Sequence, residues 1–156
     1  MLRQVLLPSM QMYYLTMIKS ELTDEGKQEL ADILPIYCKV LLQKDYKKYL
    51  AEIIIDGYTD TDGDYDYNLE LSQKRSLAVA QYLTEIRENF LSSDEISELQ
   101  NYLTVNGHGS ANPVLDSDGN VDKDASRRVE VKFRLKDDEM INELNQIMNT
   151  DKTSDS

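Results

Sequence analysis

A chain of 156 residues, 40% apolar and 29% charged, has the size and make-up of one soluble folded domain. At that length roughly 68–70% of the unfolded surface can be buried, so folding requires neither disulfides nor a structural metal. The net charge of −12 argues against nucleic-acid binding and against a polybasic grip on anionic lipid, because both need clustered Lys and Arg.

Residues 1–9 read as a lead-in: Arg3 and Pro8 interrupt the apolar centre that a signal peptide would need. No stretch approaches the ~20 apolar residues of a membrane span, so membrane contact is expected only through a tether outside this chain. Residues 10–18 are aromatic and apolar, a strand pattern. Thr23 followed by Asp24 and Glu25 announces a helix. Leu30, Ile33, Leu34, Tyr37, Val40 and Leu41 give it one buried face, with a kink or break expected at Pro35. Ala51–Tyr58 is the clearest strand, and its three isoleucines suggest a central parallel strand buried on both faces. After an Asp- and Gly-rich loop at 59–66, Leu71 through Phe90 mark a helix, with Ser72 as its expected cap and Arg75 in an early turn.

A short helix from Ser93 to Leu99, a strand at Leu103–Gly107 and a long polar loop at 109–126 follow. Arg128–Leu135 alternates as a strand with one wet face. The segment 137–149 carries Met140, Ile141, Leu144, Ile147 and Met148 on one stripe, an amphipathic helix that either packs on the sheet or pairs with a second copy as a homodimer. Residues 150–156 read as a polar tail. Alternating strands and helices define an α/β, or α+β sandwich, class.

Several chemistries fit poorly. The acidic loops around Gly63 and Gly119 miss the calcium-loop register: with the glycine sixth, Tyr58 or Val114 falls first. His108 has no serine in a nucleophile-elbow context, and no phosphate-binding glycine loop is present, so no catalytic residue, metal or cofactor is assigned. The lone Cys38 lies in an apolar run and reads as a small buried hydrophobe. Asp60, just past the carboxyl end of the central strand, and Arg75 on the next helix can face one crevice, where open sheets collect ligands. On spacing alone the pair reads rather as an ordinary ion pair, worth about 0–1 kcal/mol if exposed.

The block Gly57-Tyr58-Thr59-Asp60, then Gly63, then Tyr67-Asn68-Leu69-Glu70-Leu71-Ser72-Gln73-Lys74-Arg75-Ser76, with Val79 and Tyr82-Leu83, resembles the signature of the OmpA-like domain. That is the peptidoglycan-binding module at the carboxyl end of outer membrane protein A and of flagellar stator proteins such as MotB. Gly107-His108-Gly109, Asn112-Pro113, Ser126-Arg127-Arg128-Val129-Glu130 and the segment Lys19–Gly26 extend the resemblance over residues 10–136. Tyr58 stands where the family has His, Ser76 where Ala is common, and Ser126 where Asn often precedes the paired arginines.

The resemblance implies a β-α-β-α-β-β fold with helices on one face of a mixed sheet, plus the extra C-terminal helix. It implies non-covalent binding of the peptidoglycan stem peptide at meso-diaminopimelate, with Asp60 and Arg75 as the grip. Thr59, Asn68 and Leu71 would be further contacts, and Arg127 and Arg128 either secondary contacts or loop braces. The setting implied is the cell envelope, as the soluble part of a membrane-anchored protein. Such a parent is a static anchor or a MotB-like stator, anti-phage defence machines included. A rival expectation is an assembly module that kept the fold and lost the ligand.

Overall fold

The computed structural model describes residues 2–7, 12–18, 22–136, 142–143 and 146–150, the first two segments by their backbone course. In chain order the elements are β1 (Leu2–Leu7), β2 (Met12–Ile18), α1 (Asp24–Leu41), β3 (Leu50–Gly57), α2 (Tyr65–Ile86), α3 (Ser93–Tyr102), β4 (Leu103–Gly107), the one-turn α4 (Lys123–Ser126) and β5 (Arg128–Leu135). They form one mixed sheet of order β1-β2-β5-β3-β4, in which only β3 and β4 run parallel. The series β2-α1-β3-α2-β4-β5 is the expected β-α-β-α-β-β order, with α3 and α4 inserted and β1 added within the lead-in.

The helices cover one face of the sheet. Ile53 and Ile55 of β3 and Val129, Val131, Phe133 and Leu135 of β5 alternate toward the core, where they meet Leu30, Leu34, Tyr37, Cys38 and Leu41 of α1, Val79 and Leu83 of α2, and Leu99 of α3. Tyr37 stacks on Phe133 at 5.2 Å between ring centroids. Burial raises the Tyr37 hydroxyl and the Cys38 thiol each to about 12, so Cys38 sits in the core as a neutral apolar filler.

Local signals set the helix starts. Thr23 caps α1, its Oγ1 accepting from the Gly26 amide at 3.2 Å, and Ser92 with Glu95 forms a capping box on α3. Contrary to the expected break, α1 runs unbroken through Pro35. A proline inside a helix forfeits its own N–H and crowds the preceding turn; here the buried face on both sides of Pro35 is anchored in the core. The second correction is at α2. Asp64, extended at φ −83° and ψ 165°, is its cap and accepts from the Tyr67 amide at 2.8 Å. The helix thus begins two turns before Ser72, because nothing in Tyr65-Asp66-Tyr67 breaks it.

The other face of the sheet is not the wet one that alternation suggested for β5. Arg128, Glu130 and Lys132 are all buried. They are paired there: Lys132 Nζ lies 2.8 Å from Asp56 Oδ2 and 3.2 Å from Glu130 Oε2, and Arg128 Nε donates to Glu130 Oε1 at 2.9 Å. Asp56 and Glu130 are cross-strand partners in register, so the two like charges are held apart from conflict by the cations beside them. Ile54, of the triple isoleucine, is only half-buried on this face, and β3 lies between an antiparallel and a parallel neighbour. In the C-terminal segment, residues 137–141 and 144–145 lie outside the described residues; 142–143 and 146–150 are helical, with Met148 buried in the core.

Candidate ligand-binding site

The carboxyl end of β3 meets α2 unusually closely. A Cβ on Gly57 would lie 2.0 Å from the Ser72 carbonyl oxygen, and one on Gly107 would lie 2.6 Å from the Gln73 amide. Glycine at both strand ends lets the helix descend onto the sheet. Ser72, buried in the helix interior, donates its hydroxyl to Leu69 O and accepts from the Gly109 amide at 2.8 Å, tying the helix to the loop after β4. That loop in turn receives the chain leaving β3: the Thr59 amide donates to Gly109 O at 2.8 Å.

These ties frame a crevice of about 290 Å³ lined by Thr59, Asp60, Asp62, Gly63, Tyr67, Asn68, Leu71, Arg75 and Arg127. Six of the seven residues singled out in the sequence therefore converge: Asp60, Arg75, Thr59, Asn68, Leu71 and Arg127. Arg128 does not line it. Its guanidinium is buried behind the crevice, donating to Glu130, Ser126 O and Asn112 O, and lies 4.0 Å from the Tyr58 ring centre. Tyr58, the residue in the family's His position, is stacked between that guanidinium and the His108 ring, 4.9 Å away. The Tyr58 carbonyl accepts from Arg75 Nη1 at 3.0 Å, which orients the guanidinium.

Asp60 is equally placed by its surroundings. Its Oδ1 accepts from the Asp62 amide at 2.9 Å and its Oδ2 from Arg127 Nη1 at 2.7 Å. Burial alone would raise this carboxyl, but the Asp62 amide and the Arg127 guanidinium outweigh it and hold Asp60 below the ordinary aspartate value. It is a carboxylate at neutral pH. Two bonds leave part of its roughly four acceptor directions open. Asp62 pairs with Lys123 at 2.8 Å. Thr59 and Asn68 are buried braces: Thr59 Oγ1 donates to Asp60 O and Asn68 Nδ2 to Asp62 O, each at 2.8 Å.

Asp62, Gly63 and Tyr67 are lining residues that the sequence reading did not assign. Tyr67, Leu71 and Arg75 recur every fourth residue, so the helical period contains Tyr67 once the helix is started at Asp64 instead of Ser72. That shift also moves Arg75 to the third turn, away from the amide donors at the start of α2. Arg75 must act through its own charge and not through the helix dipole, which fades within the first turn. The concavity is lined by two carboxylates, Asp60 and Asp62, and two guanidinium groups, Arg75 and Arg127, with Leu71 and Tyr67 beside them. Chemically, a carboxylate can accept from an ammonium and a guanidinium can donate to a carboxylate. Among the described residues no group of three His, Cys, Asp or Glu is placed to hold a metal ion.

The OmpA family model matches residues 19–127, and the chain belongs to the OmpA family. The chain is 36% identical over 122 residues to the Zorya protein ZorB of Escherichia coli O139:H28 (strain E24377A / ETEC), a match covering 74% of this chain and 47% of that protein. It thus spans about half the length of the curated relatives it matches. Among solved structures, the C-terminal domain of Helicobacter pylori MotB superposes with a TM-score of 0.59 at 19% identity, covering 85% of this chain and 89% of that one. The peptidoglycan-associated lipoprotein from Burkholderia pseudomallei gives 0.51 at 21% identity, covering 81% and 93%. These two establish the shared α+β fold, helices on one face of a mixed sheet.

Proposed function

We propose that this chain is a wall-binding module that grips the diaminopimelate of a peptidoglycan stem peptide without covalent chemistry. The observation that carries the reading is the convergence of Asp60 and Arg75 on one crevice. Diaminopimelate ends in an ammonium beside a carboxylate on a chain of methylenes. Asp60 accepts from the ammonium, Arg75 offers two parallel donors to the carboxylate, and Leu71 lies along the methylenes. A lysine-type stem lacks that carboxylate and leaves the Arg75 fork without its ligand partner.

Each charge-assisted bond contributes about 1.5–3 kcal/mol. Asp60→Ala and Arg75→Ala therefore each weaken binding about 10- to 100-fold, read as retention on purified diaminopimelate-type sacculi with lysine-type sacculi as control. Equal retention of both variants and the parent chain, all shown folded by circular dichroism, refutes the reading and favours an assembly module. The similarity to ZorB and the fold shared with MotB support a second, wider reading: the chain is the envelope-side part of a membrane-anchored, MotB-like stator in an anti-phage system. Among the described residues no helix is long and apolar enough to cross a membrane. A tether supplied elsewhere in the protein would provide the anchor, and fractionation of the full-length protein into the inner membrane tests this.

A further inference from the structure

Arg127 is used twice. Its Nη1 donates to Asp60 inside the crevice, while its Nη2 is paired with Asp124 of α4. The two carboxylates differ sharply: the Asp60 side chain is 14% exposed and that of Asp124 is 87% exposed. Asp60 lines the crevice, whereas Asp124 stands outside its lining, which makes Nη2 the outward edge of the guanidinium. An exposed ion pair of this kind is worth about 0–1 kcal/mol and yields readily to a competing carboxylate. A planar fork serves two carboxylates at once, one on each edge.

We infer that the outward edge of Arg127 is a second carboxylate subsite, occupied in the ligand-free protein by Asp124, which selects ligands bearing a second free carboxylate next to the diaminopimelate zwitterion. The inference rests on the wall-binding reading and narrows it. In a stem peptide that carboxylate has two sources. One is the other end of diaminopimelate itself, free in a tripeptide stem and closed in a tetrapeptide. The other is the α-carboxylate of the neighbouring isoglutamate, lost when that residue is amidated.

The test is calorimetric titration of the chain with four stem peptides: tripeptide and tetrapeptide, each with isoglutamate or isoglutamine. The parent chain is expected to favour the peptides with the effective second carboxylate about tenfold. Preference tracking peptide length assigns the first source, and preference tracking amidation assigns the second. Asp124→Asn, at an exposed position, removes the internal competitor and tightens those same peptides about threefold, leaving the others unchanged. Arg127→Lys, which replaces the fork by a point charge, erases the preference among the four peptides. Equal affinity of the parent chain for all four peptides, or an equal effect of Asp124→Asn on all four, overturns the inference. If all four bind equally and Asp60→Ala abolishes that binding, wall recognition stands and only the second subsite falls. If none binds the parent chain, both fall.

Discussion

Gly57 shows how one residue sets the distance between the two halves of the grip. It ends the strand that leads to Asp60, and the backbone of Ser72, one turn before Arg75, occupies the space a side chain would need. The obstacle is a helix carbonyl, which cannot swing aside as a side-chain tip would. Gly57→Ala is therefore expected to lose about 3 kcal/mol of stability, the upper part of the usual overpacking range. It should also weaken retention on sacculi by pushing α2 outward. Urea unfolding checks the first effect. A variant as stable as the parent would mean that α2 can retreat freely, and the rigid framing of the crevice would then be wrong. The pair Asp60 and Arg75 was legible in the sequence because both lie in a contiguous strand-loop-helix segment, where chain connectivity alone limits their separation. The Arg127–Asp60 and Lys123–Asp62 bridges were not, since they join residues more than sixty positions apart and only the tertiary fold brings them together.

At the scale of elements, β5 is the strand whose pattern misled. Arg128, Glu130, Lys132 and Arg134 alternate with apolar residues, which reads as a solvated face. Alternation reports the polarity of a face, not its exposure. The ladder of opposite charges on β3 and β5 closes on itself: Arg134 with Glu52, Lys132 with Asp56 and Glu130, and Arg128 with Glu130. Lys132 is the centre of this array. Burial works against its charge, but the Asp56 and Glu130 carboxylates prevail and raise it above the ordinary lysine value. For Asp56 burial likewise works against the charge, and the bonds from Lys132, His108 and Asn106 prevail to lower it.

The signs follow from linkage. A raised lysine contributes fully below its unfolded value of about 10.4, and the contribution disappears as pH climbs through the higher folded value. A lowered aspartate contributes above about 3.9 and loses its contribution as pH falls through the lower folded value. Lys132→Met leaves two buried carboxylates short of a cation and is expected to cost about 3–5 kcal/mol at neutral pH. The deficit should shrink as pH falls through and below about 3.9, because the pairing with Lys132 that lowers Asp56 is itself lost there. A deficit that stays constant from pH 3 to pH 8 in urea titrations would assign the loss to packing and not to charge.

For the molecule as a whole, the α+β class and the order of the central elements were readable because the central helices and strands carry their own hydrophobic periods. What was not readable is the strand added at the amino end. Leu2–Leu7 contains a charge and no clean alternation, and its strand character comes from pairing with β2. Met148, on the apolar stripe of the C-terminal segment, is buried to 1% exposure in the core. Met148→Ala is expected to cost about 2–5 kcal/mol, which a single unfolding transition at lower denaturant would reveal. An unchanged midpoint would mean that the C-terminal segment is dispensable to the core.

The position of β3 has a mechanical consequence. Asp60 lies three residues beyond β3, a strand bonded to β5 on one side and, over residues 53–57, to β4 on the other. Its backbone bonds to antiparallel β5 run perpendicular to the strand. A pull on a ligand held at Asp60, directed along that axis, loads those bonds in shear, many sharing the force at once. Peeling, in which they would give way one after another, is the mode that such an arrangement avoids.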